Sequence, residues 1–464
     1  MAYFTSYICS YKLDDENILL LNTLSGAIDI VDGITFDKIN EMMCQGENIV
    51  VTDKLLYLTL KKRGYIFDSK REENMIFKSI REAGKKICDS NTVVSFTVCP
   101  SMGCNLRCTY CYENHNDQHN NFDIMSENQL DTIFKYIIEF CRKKNISECR
   151  IGIFGGEPLL KKNYQIVKRI MEFAVERNFL VCIATNGTGI DDRYMELLKK
   201  HKEKMYFQIT LDGNKYYHNK KRIYNGGEGT FDDICVSIQR ILDANIRLTI
   251  RINVDRENIN SLSDLKCLFI EKHWRQNPLV SVYASPIRYY EYGDKCNAIE
   301  DSEMLDIFMK NQWISKDFVD RLDSSVFDCI FGLFGKHSSK IKLCKTTYCS
   351  ATDGSSYCFI PNGVITTCLR CVGDCKYKVG TFNAEGKVFI DESSFNGWIN
   401  RDFFSLDKCK KCKFMLLCGG GCPVYSLKQH NNINCPVCND IKKTLEVYIK
   451  YMKNDILHKL SELR

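Results

Sequence analysis

The chain has 464 residues, which is long enough for two or three domains with a sizeable hydrophobic core. Its 44% hydrophobic and 26% charged residues are ordinary for a globular protein, and no run approaches the roughly 18 consecutive apolar residues of a membrane span. The net charge of +6 is too small and dispersed to indicate nucleic-acid binding, and the N-terminus lacks a secretory signal, so we expect a cytoplasmic protein without nucleic-acid or membrane partners.

Residues 1–90 are predicted to form a small separate module of short strands followed by helices. Alternating and helical apolar spacings predict strands over 17–22, 27–31 and 65–67 and helices over 34–43 and 55–62. The first two strands are expected to form a hairpin around Ser25 and Gly26.

From about Val93 the pattern changes to strands and helices in alternation, which predicts parallel strands covered by helices. The predicted strands span 93–98, 149–154, 180–185, 205–211, 246–254 and 280–285, and the predicted helices span 127–143, 163–177, 192–200, 231–245 and 261–273. Six such units make a partial barrel. The predicted fold class is therefore α/β, with a partial (β/α)6 barrel over 91–310.

Three closely spaced cysteines follow the first barrel strand, in Cys99-Pro-Ser-Met-Gly-Cys104-Asn-Leu-Arg-Cys108-Thr-Tyr-Cys111. Iron–sulfur cubanes usually take four thiolates, so a cluster held by Cys104, Cys108 and Cys111 leaves one iron open to a small molecule. The alternative is a structural zinc with a fourth ligand such as Cys99 or His115. The 26 cysteines of the chain are concentrated in close clusters, which favours metal sites over disulfides.

Polar motifs also follow the next three strands: Gly155-Gly156-Glu157-Pro158, Thr185-Asn186-Gly187-Thr188 and Leu211-Asp212-Gly213. In a barrel the carboxyl ends of the strands share one rim, where catalytic groups lie. The two glycines let the backbone approach a ligand, and Glu157 offers a carboxylate to an ammonium group. The alternative is a tight turn with Pro158 in the first turn of a helix.

A second set of cysteines begins near Leu343. In chain order it comprises Cys349, Cys368, Cys409, Cys412, Cys418, Cys422, Cys435 and Cys438, with Gly363 before the second and Gly419 to Gly421 before the sixth. This density of thiols predicts further metal sites, of which a structural zinc at Cys409 and Cys412 is the simplest alternative. Apolar residues at helical spacing from Ile441 to Leu460 then predict a closing amphipathic helix.

The cysteine loop resembles the signature of the radical S-adenosylmethionine (radical SAM) superfamily, in which an aromatic residue such as Tyr110 commonly precedes the last cysteine. The resemblance implies a [4Fe-4S] cluster whose open iron is chelated by SAM, and a 5′-deoxyadenosyl radical that abstracts a hydrogen atom from the substrate. It assigns Gly155 to Pro158 to the methionine amine and places Tyr110 near the adenine. The other expected SAM contacts are Thr185, Asn186, Thr210, Arg222, Arg251 and Asn253, each of which is alternatively a turn or cap residue.

The later cysteines resemble the SPASM extension of radical SAM enzymes, which implies two auxiliary [4Fe-4S] clusters and three clusters in all. One cluster would use Cys349, Cys368 and Cys422, with Cys344 as a further ligand, and the other would use Cys409, Cys412, Cys418 and Cys438. Cys438 is preferred to Cys435 because it directly precedes the closing helix. Cys358, Cys371 and Cys375 are left as alternative ligands, as thiols near the substrate, or as ordinary buried residues.

Together these features resemble a radical SAM/SPASM peptide maturase of the thioether-forming sactipeptide or ranthipeptide type. Residues 1–90 are similar to the winged-helix element that binds a leader peptide by strand addition, although a structural cap is the alternative. The implied domains are this module, the barrel over 91–310, a bridging segment and SPASM domain over 311–440, and the closing helix over 441–464. The implied partners are a ribosomal precursor peptide and an external one-electron donor such as flavodoxin or ferredoxin.

The expected activity is thus that of an oxidoreductase that links a cysteine sulfur to carbon in a ribosomally synthesised peptide. The alternatives are carbon–carbon crosslinking, epimerisation, or anaerobic sulfatase maturation by formylglycine formation. Sulfatase-maturating enzymes usually carry a carboxylate after the second SPASM cysteine, where this chain has Leu369, and they generally lack the N-terminal module. A non-enzymatic iron–sulfur electron carrier would not need the motif from Gly155 to Pro158.

Overall fold

The structure is a computed structural model that describes residues 2–46, 49–113, 123–288, 295–334 and 345–461. Cys344 and His115 lie outside the described residues. Within the described part of the chain, no helix is both long enough and apolar enough to cross a membrane.

The N-terminal module (residues 2–89) consists of two small antiparallel sheets and three helices. Its elements are β1 (Tyr3–Phe4), β2 (Ile8–Lys12), β3 (Asn17–Asn22), β4 (Ile28–Asp32), α1 (Gly33–Cys44), α2 (Lys54–Lys62), β5 (Ile66–Phe67) and α3 (Lys70–Asp89). Strands β2, β3 and β4 form one sheet in that order, and β1 pairs with β5. The predicted hairpin is confirmed, since Gly26 turns between β3 and β4 with a positive φ of 75°.

Side-chain caps fix where the module's helices begin. Asp32, Asp53 and Ser69 precede α1, α2 and α3, and each side chain accepts a hydrogen bond from a backbone N–H in the first turn. The two predicted helices are confirmed, and α3 is a third helix that the sequence prediction did not define.

The barrel region alternates parallel strands and helices. Its strands are β6 (Val93–Val98), β7 (Glu148–Ile153), β8 (Leu180–Thr185), β9 (Met205–Thr210), β10 (Leu248–Val254), β11 (Val280–Pro286) and β12 (Arg321–Leu322). Its helices are α4 (Glu127–Lys143), α5 (Tyr164–Glu176), α6 (Asp192–His201), α7 (Lys215–Lys221), α8 (Phe231–Asp243), α9 (Leu262–Glu271) and α10 (Asp301–Lys310). All six predicted strands and five predicted helices are confirmed within about two residues.

The two faces of the barrel strands differ in polarity. On β10 the side chains of Ile250 and Ile252 are buried against the helices, whereas Thr249, Arg251 and Asn253 alternate with them on the other face. Bulky branched residues fill the interior of a closed eight-stranded barrel. The inner face of this open barrel is instead polar on β10.

The C-terminal part continues the barrel sheet instead of forming a sheet of its own. Its elements are α11 (Ser325–Leu333), β13 (Ser356–Phe359), β14 (Val364–Thr366), β15 (Gly380–Phe382), β16 (Val388–Ile390), α12 (Glu392–Ile399), α13 (Asp407–Lys410), α14 (Met415–Cys418), α15 (Pro423–His430) and α16 (Ile441–Ser461). Strand β13 lies parallel to β6, and β14, β15 and β16 follow antiparallel. The described sheet therefore has eleven strands, in the order β12 to β6 and then β13 to β16.

The closing helix is confirmed as α16. Its predicted apolar stripe is buried from Ile441 through Leu445, Tyr448 and Met452 to Ile456, and the side chain of Leu460 lies outside the described residues. Helix α16 packs on α10 and α11 and also reaches β4 of the N-terminal module. It therefore links the barrel, the C-terminal part and the module.

Candidate functional site

The loops that leave β6, β7, β8 and β9 meet at one edge of the parallel sheet, which we call the rim (residues 99–113, 154–160, 185–190 and 211–214). Adjacent strands run parallel in the order β6 to β10, so their carboxyl ends lie side by side. The sequence motifs predicted to bind a cofactor are all on these loops.

The three cysteines of the first loop lie close together on the rim. Cys104 and Cys108 are buried, Cys111 is half-buried, and all three belong to one cluster with Leu106 and Tyr224. Burial and then the nearby Glu157 carboxylate raise the pKa of the Cys104 thiol to about 12. A bound metal reverses this effect, because coordination deprotonates a thiol.

Backbone hydrogen bonds hold the cysteine loop against the segment that follows α7. Arg107 N donates to Ile223 O at 2.8 Å, and Thr109 N donates to Lys221 O at 3.0 Å. Asn225 N in turn donates to Asn105 O at 3.0 Å. The spacing of the three thiols is thus fixed by the fold.

The described part of the loop offers three thiols, one fewer than the four ligands of a structural zinc. Of the two residues considered as a fourth zinc ligand, His115 lies outside the described residues. Cys99 packs with Met102 and Cys358 in a separate apolar cluster. It is therefore not a fourth ligand beside Cys104, Cys108 and Cys111.

The glycine pair at the end of β7 is required by the cysteine loop itself. A Cβ on Gly155 would collide with Ser101 O, and a Cβ on Gly156 would collide with the carbonyls of Met102 and Gly103. Gly155 also has a φ of 126°, which L side chains rarely adopt. The sequence interpretation, in which these glycines make room for a ligand, missed this direct contact between the two loops.

Glu157 lies below the rim surface and is only 1% exposed. Its Oε1 accepts hydrogen bonds from Thr185 Oγ1 at 2.6 Å and Leu159 N at 2.8 Å, and its Oε2 accepts from Asn186 N at 2.6 Å. A carboxylate has about four acceptor positions, so one remains on Oε2 for a ligand donor. Glu157 therefore joins the loops after β7 and β8 and retains the capacity to bind an ammonium group.

Asn186 and Thr188 connect the turn after β8 to the cysteine loop. Asn186 Nδ2 donates to Asn105 Oδ1 at 2.9 Å, and Asn105 Nδ2 donates to Thr188 Oγ1 at 2.8 Å. Thr185 is already used by Glu157. In this arrangement the predicted contacts Thr185 and Asn186 build the rim, and Pro158 lies beside Asn163, whose amide donates to its carbonyl at 3.2 Å.

Tyr110 lies at the centre of a buried polar network. Its hydroxyl donates to Asp212 Oδ2 and accepts from Arg222 Nη1 at 2.7 Å and from Asn253 Nδ2 at 3.2 Å. Burial raises the pKa of Tyr110 well above its usual range, so the hydroxyl stays protonated and can donate. The network fixes the ring next to Cys111.

Asp212 and His218 complete this network, and the sequence analysis did not name them as site residues. His218 Nδ1 accepts from Asp212 N at 3.0 Å, so the ring proton lies on Nε2 and faces Thr230 Oγ1 at 3.1 Å. Burial lowers the pKa of His218 well below its usual range, which keeps the ring neutral. The available signal was the polar motif Leu211-Asp212-Gly213 at the end of β9, which the sequence analysis placed on the rim without giving Asp212 a role.

Arg222 provides the clearest fit to a bound anion. The buried Nε of Arg222 has no hydrogen-bond partner among the described residues, and a buried guanidinium donor left unpaired is costly. A carboxylate such as that of the methionine part of SAM would pair with it. With the open thiol set, Glu157 and Arg222, the rim fits SAM bound to a [4Fe-4S] cluster.

Arg251 and Asn253 extend the site along β10. Arg251 Nε donates to Asn253 Oδ1 at 2.7 Å, and its guanidinium lies 5.7 Å from the ring centre of Tyr283 on β11. Thr210 ends β9 and is paired in register with Arg251. These three predicted residues therefore lie together on the inner side of the barrel mouth.

The later cysteines divide into two groups. In the first, burial and the neighbouring thiols of Cys368 and Cys422 raise the pKa of Cys349 to about 12. Cys371, which the sequence left unassigned, is fully buried, and its backbone N–H donates to Cys368 O at 2.9 Å. The first group thus contains Cys349, Cys368 and Cys422 with Cys371 beside them, while the predicted Cys344 lies outside the described residues.

The second group surrounds Cys409. Burial and the thiols of Cys418, Cys412 and Cys438 raise the pKa of Cys409 to about 11. Cys435 is instead tied to Ser426, whose Oγ donates to Cys435 O at 2.7 Å and accepts from Cys435 N at 3.1 Å. Cys438 therefore stays the predicted ligand of the late pair, as the thiol that contributes to the raised pKa of Cys409.

Three glycines and one arginine shape the turn between Cys418 and Cys422. Gly419, Gly420 and Gly421 all have φ between 70° and 80°, which only glycine adopts easily in succession. Arg401, only 5% exposed, donates to Gly420 O at 2.9 Å and to Ile433 O at 2.8 Å. Sequence reasoning did not identify Arg401, because it lies outside every cysteine motif.

The first cysteine group is close to the rim. Strand β13 pairs with β6, and Cys99 N donates to Phe359 O at 2.9 Å. The hydroxyl of Tyr112, next to Cys111, donates to the carbonyl of Leu369, next to Cys368, at 3.2 Å. The two cysteine sites therefore share a direct hydrogen bond as well as a sheet.

Comparisons with known proteins agree with this geometry. The family model of the radical SAM superfamily matches residues 98–266, from the cysteine loop to α9. The chain is 26% identical over 340 residues to a cysteine-type anaerobic sulfatase-maturating enzyme of Clostridium perfringens, a match that covers 69% of this chain and 86% of that enzyme.

Two further matches extend over nearly the whole chain. The radical SAM cyclopropyl synthase TigE of Paramaledivibacter caminithermalis is 22% identical, with 99% of this chain and 98% of that enzyme covered. The crystal structure of Streptococcus suis SuiB bound to precursor peptide SuiA aligns with a TM-score of 0.54 at 15% identity, covering 94% of this chain and 98% of that one.

The match over residues 98–266 coincides with the strands and loops that carry the three thiols, Glu157 and the Tyr110 network. The structural likeness to SuiB shows the same fold for the chain as a whole. This chain therefore contains a radical SAM domain over residues 98–266.

Proposed function

We propose that the enzyme modifies a ribosomally synthesised peptide by forming thioether crosslinks from cysteine sulfur to carbon. The observation that carries this proposal is that the rim is joined to the first cysteine group through β6, β13 and the hydrogen bond from Tyr112 to Leu369. A substrate held in the barrel mouth would lie near both. The first cysteine group would hold one auxiliary cluster and the Cys409 group the other, giving three [4Fe-4S] clusters with the one at the rim.

When bound, SAM and its cluster supply a 5′-deoxyadenosyl radical from one donated electron, and the auxiliary cluster supplies an electron acceptor close to the substrate thiol. Formation of each thioether bond then takes a hydrogen atom from the carbon and a proton from the sulfur, and one electron leaves the product. The residues of the chain orient these groups: Glu157 and Arg222 hold the amino-acid part of SAM, and Tyr110 fixes the loop. A flavodoxin or ferredoxin is the proposed external electron donor.

The N-terminal module is the proposed site of leader recognition. Of the sixteen large hydrophobic side chains that are exposed in the described chain, eight lie in residues 2–89, although the module makes up only about a fifth of the chain. Leu55 and Leu58 on α2 are 78% and 51% exposed. Strand β4 also lies at the edge of its sheet, where a peptide could add as a further strand.

A sulfatase-maturating oxidase is the second candidate, favoured by the match to the Clostridium perfringens enzyme. Two observations argue for the peptide maturase instead. The matches to TigE and SuiB extend over nearly the whole chain, whereas the match to the sulfatase-maturating enzyme covers 69% of it. Leu369 also stands beside Cys368 where those enzymes usually have a carboxylate. TigE is named a cyclopropyl synthase, and making a cyclopropyl ring forms a carbon–carbon bond. A carbon–carbon bond-forming reaction is therefore the alternative chemistry.

The test is an anaerobic reaction of the reconstituted enzyme with a cysteine-containing peptide encoded by a neighbouring open reading frame. Thioether formation removes two hydrogens per bond and protects that cysteine from alkylation. A carbon–carbon bond also removes two hydrogens but leaves the thiol open to alkylation, and formylglycine formation removes the sulfur. Recovery of a dehydrogenated peptide whose cysteines all alkylate would overturn the thioether proposal.

A further inference from the structure

The N-terminal module and the second cysteine group share one hydrophobic cluster. From the module it contains Tyr7, Leu24 and Phe67, and from the C-terminal part it contains Phe403, Leu406, Cys409, Met415 and Leu416, all of them buried. Cys412 and three residues of α3 pack against it from the edge: Ile76, Phe77 and Ile80. Two of the thiols of this group therefore contact the core of a module far away in sequence.

Hydrogen bonds also join the module to residues 406–416, the loop that carries Cys409 and Cys412. Tyr7 Oη donates to Lys410 O at 2.9 Å, between Cys409 and Cys412 in sequence. Thr23 Oγ1 donates to Lys413 O, and Lys413 Nζ donates to Ile8 O at 2.9 Å. The module thus binds the main chain of the loop on both sides of Cys412.

The loop has little regular structure of its own. It consists of α13 and α14, four residues each, with Cys412 N donating to Cys409 O at 2.9 Å between them. Helices this short are not stable alone, because nucleation costs more than their few hydrogen bonds return. The shape of residues 406–416 must therefore come from contacts with other parts of the chain, namely the module and α11, which packs on α14, together with any bound metal.

We propose that the cluster held by the Cys409 group is the structural anchor of the N-terminal module, and that Tyr7 is a positioning residue for the cluster. The inference rests on the proposed iron ligation by Cys409 and Cys412, but not on thioether chemistry or on the identity of the peptide. Metal ligation orders the loop, and the ordered loop completes the core in which Tyr7, Leu24 and Phe67 are buried. Coupling of this kind is reciprocal, so the module also stabilises the cluster.

The first experiment measures hydrogen–deuterium exchange in anaerobically reconstituted full-length protein, with no substrate present. In the double variant C409A/C412A we expect the amides of β2, β3 and α3 to exchange at least about tenfold faster, because their opening free energy falls by about 1.4 kcal/mol or more. The amides of β8 and β9 in the barrel should keep their wild-type protection.

Two variants serve as matched controls. C104A/C108A/C111A removes the rim cluster, and C349A/C368A removes ligands of the first group, and none of these five cysteines belongs to the hydrophobic cluster that contains Tyr7, Leu24 and Phe67. Both should leave the exchange of the module within about twofold of wild type. Unchanged protection of the module in C409A/C412A, after its iron content has fallen, would contradict the proposal.

A milder variant tests the reverse direction and does not risk the fold. Y7F removes only the hydroxyl that donates to Lys410 O, and Y65F removes a buried hydroxyl of the same module that faces Leu20, Ala27 and Asp29 instead. We expect Y7F to alter the EPR spectrum of one reduced auxiliary cluster and to speed iron release to a chelator by about tenfold, the usual lower effect of an outer-shell partner. Y65F should do neither.

The two outcomes of the Y7F experiment are distinct. If Y7F and Y65F release iron at the same rate and share the wild-type spectrum, Tyr7 does not position the cluster and the anchor proposal fails. Loss of the proposed peptide activity with intact coupling would instead leave this inference in place and count only against the function.

Discussion

The rim and the second cysteine group are both thiol sites, but the fold builds them in different ways. The rim stands at the ends of parallel strands of six or seven residues, and its loops are joined by buried hydrogen bonds such as those of Glu157 and Tyr110. The Cys409 group is carried by helices of four residues and a glycine turn, braced by one arginine and by another part of the chain. The first site is held by its own scaffold, whereas the second depends on contacts with distant segments of the chain.

The substitution with the largest expected effect removes the three thiols of the rim. C104A/C108A/C111A should lose about a third of the iron, one of three four-iron clusters, and should not cleave SAM. The circular dichroism spectrum and thermal midpoint should stay close to those of the wild type, because the strands that carry the loop do not need the metal. Undiminished SAM cleavage in this variant would refute the assignment of the rim.

Loss of Arg401 should destabilise the second site without touching the first. R401M leaves the carbonyls of Gly420 and Ile433 without their buried donors, at a cost of about 1–3 kcal/mol each. We expect a lower thermal midpoint, faster iron loss and unchanged SAM affinity. R240M, in which a more exposed arginine loses its bond to Ile190 O in the barrel, is the matched control and should change the midpoint much less.

The sequence predicted the rim more completely than the second site, and the reason is periodicity. Each barrel strand is a run of alternating or continuous apolar residues, so the positions of Cys104, Gly155 and Thr185 at strand ends follow from local pattern. The contacts of Arg401 and Tyr7 join segments that are distant in sequence. No periodic pattern of residues in the sequence indicates such contacts. The pairing of β13 with β6 was missed for the same reason, because the local sequence of a four-residue strand does not indicate which other strand it pairs with.

Within the rim, Glu157 should have a graded effect on SAM binding. E157Q keeps the shape but places an amide group against donors from Asn186 N or Thr185 Oγ1, and it removes the charge that attracts the SAM ammonium. Titration should show binding weaker by about 1–3 kcal/mol, the range for hydrogen bonds to charged groups, with all iron retained.

T185V is the matched control for E157Q. It removes one donor to the same carboxylate but leaves the charge in place, so SAM binding should weaken less than in E157Q. Equal SAM affinity in E157Q and the wild type would mean that the amino group of SAM is bound elsewhere.

The smallest expected effect concerns the exposed surface of the N-terminal module. L55E/L58E replaces two exposed side chains of α2 and should leave stability and iron content unchanged. Turnover of a leader-bearing peptide at low concentration should fall by about tenfold, because a tethered leader raises the local concentration of the modified segment to roughly millimolar.

A leaderless peptide at high concentration should be modified at equal rates by L55E/L58E and the wild type. V236E, a similar change at an exposed position on α8 of the barrel, should affect neither peptide. If L55E/L58E also turns over the leader-bearing peptide at the wild-type rate, this face of α2 does not take part in leader recognition.

The pairing of β13 with β6 has a consequence for how the chain is made. Ser95 is paired in register with Ser356, so the first barrel strand leaves the ribosome long before its second neighbour exists. Until then β6 is an open edge strand of Val, Phe and Thr, of the kind that joins other chains and aggregates. The sheet therefore stays incomplete during synthesis until residues 356–359 emerge and pair with β6.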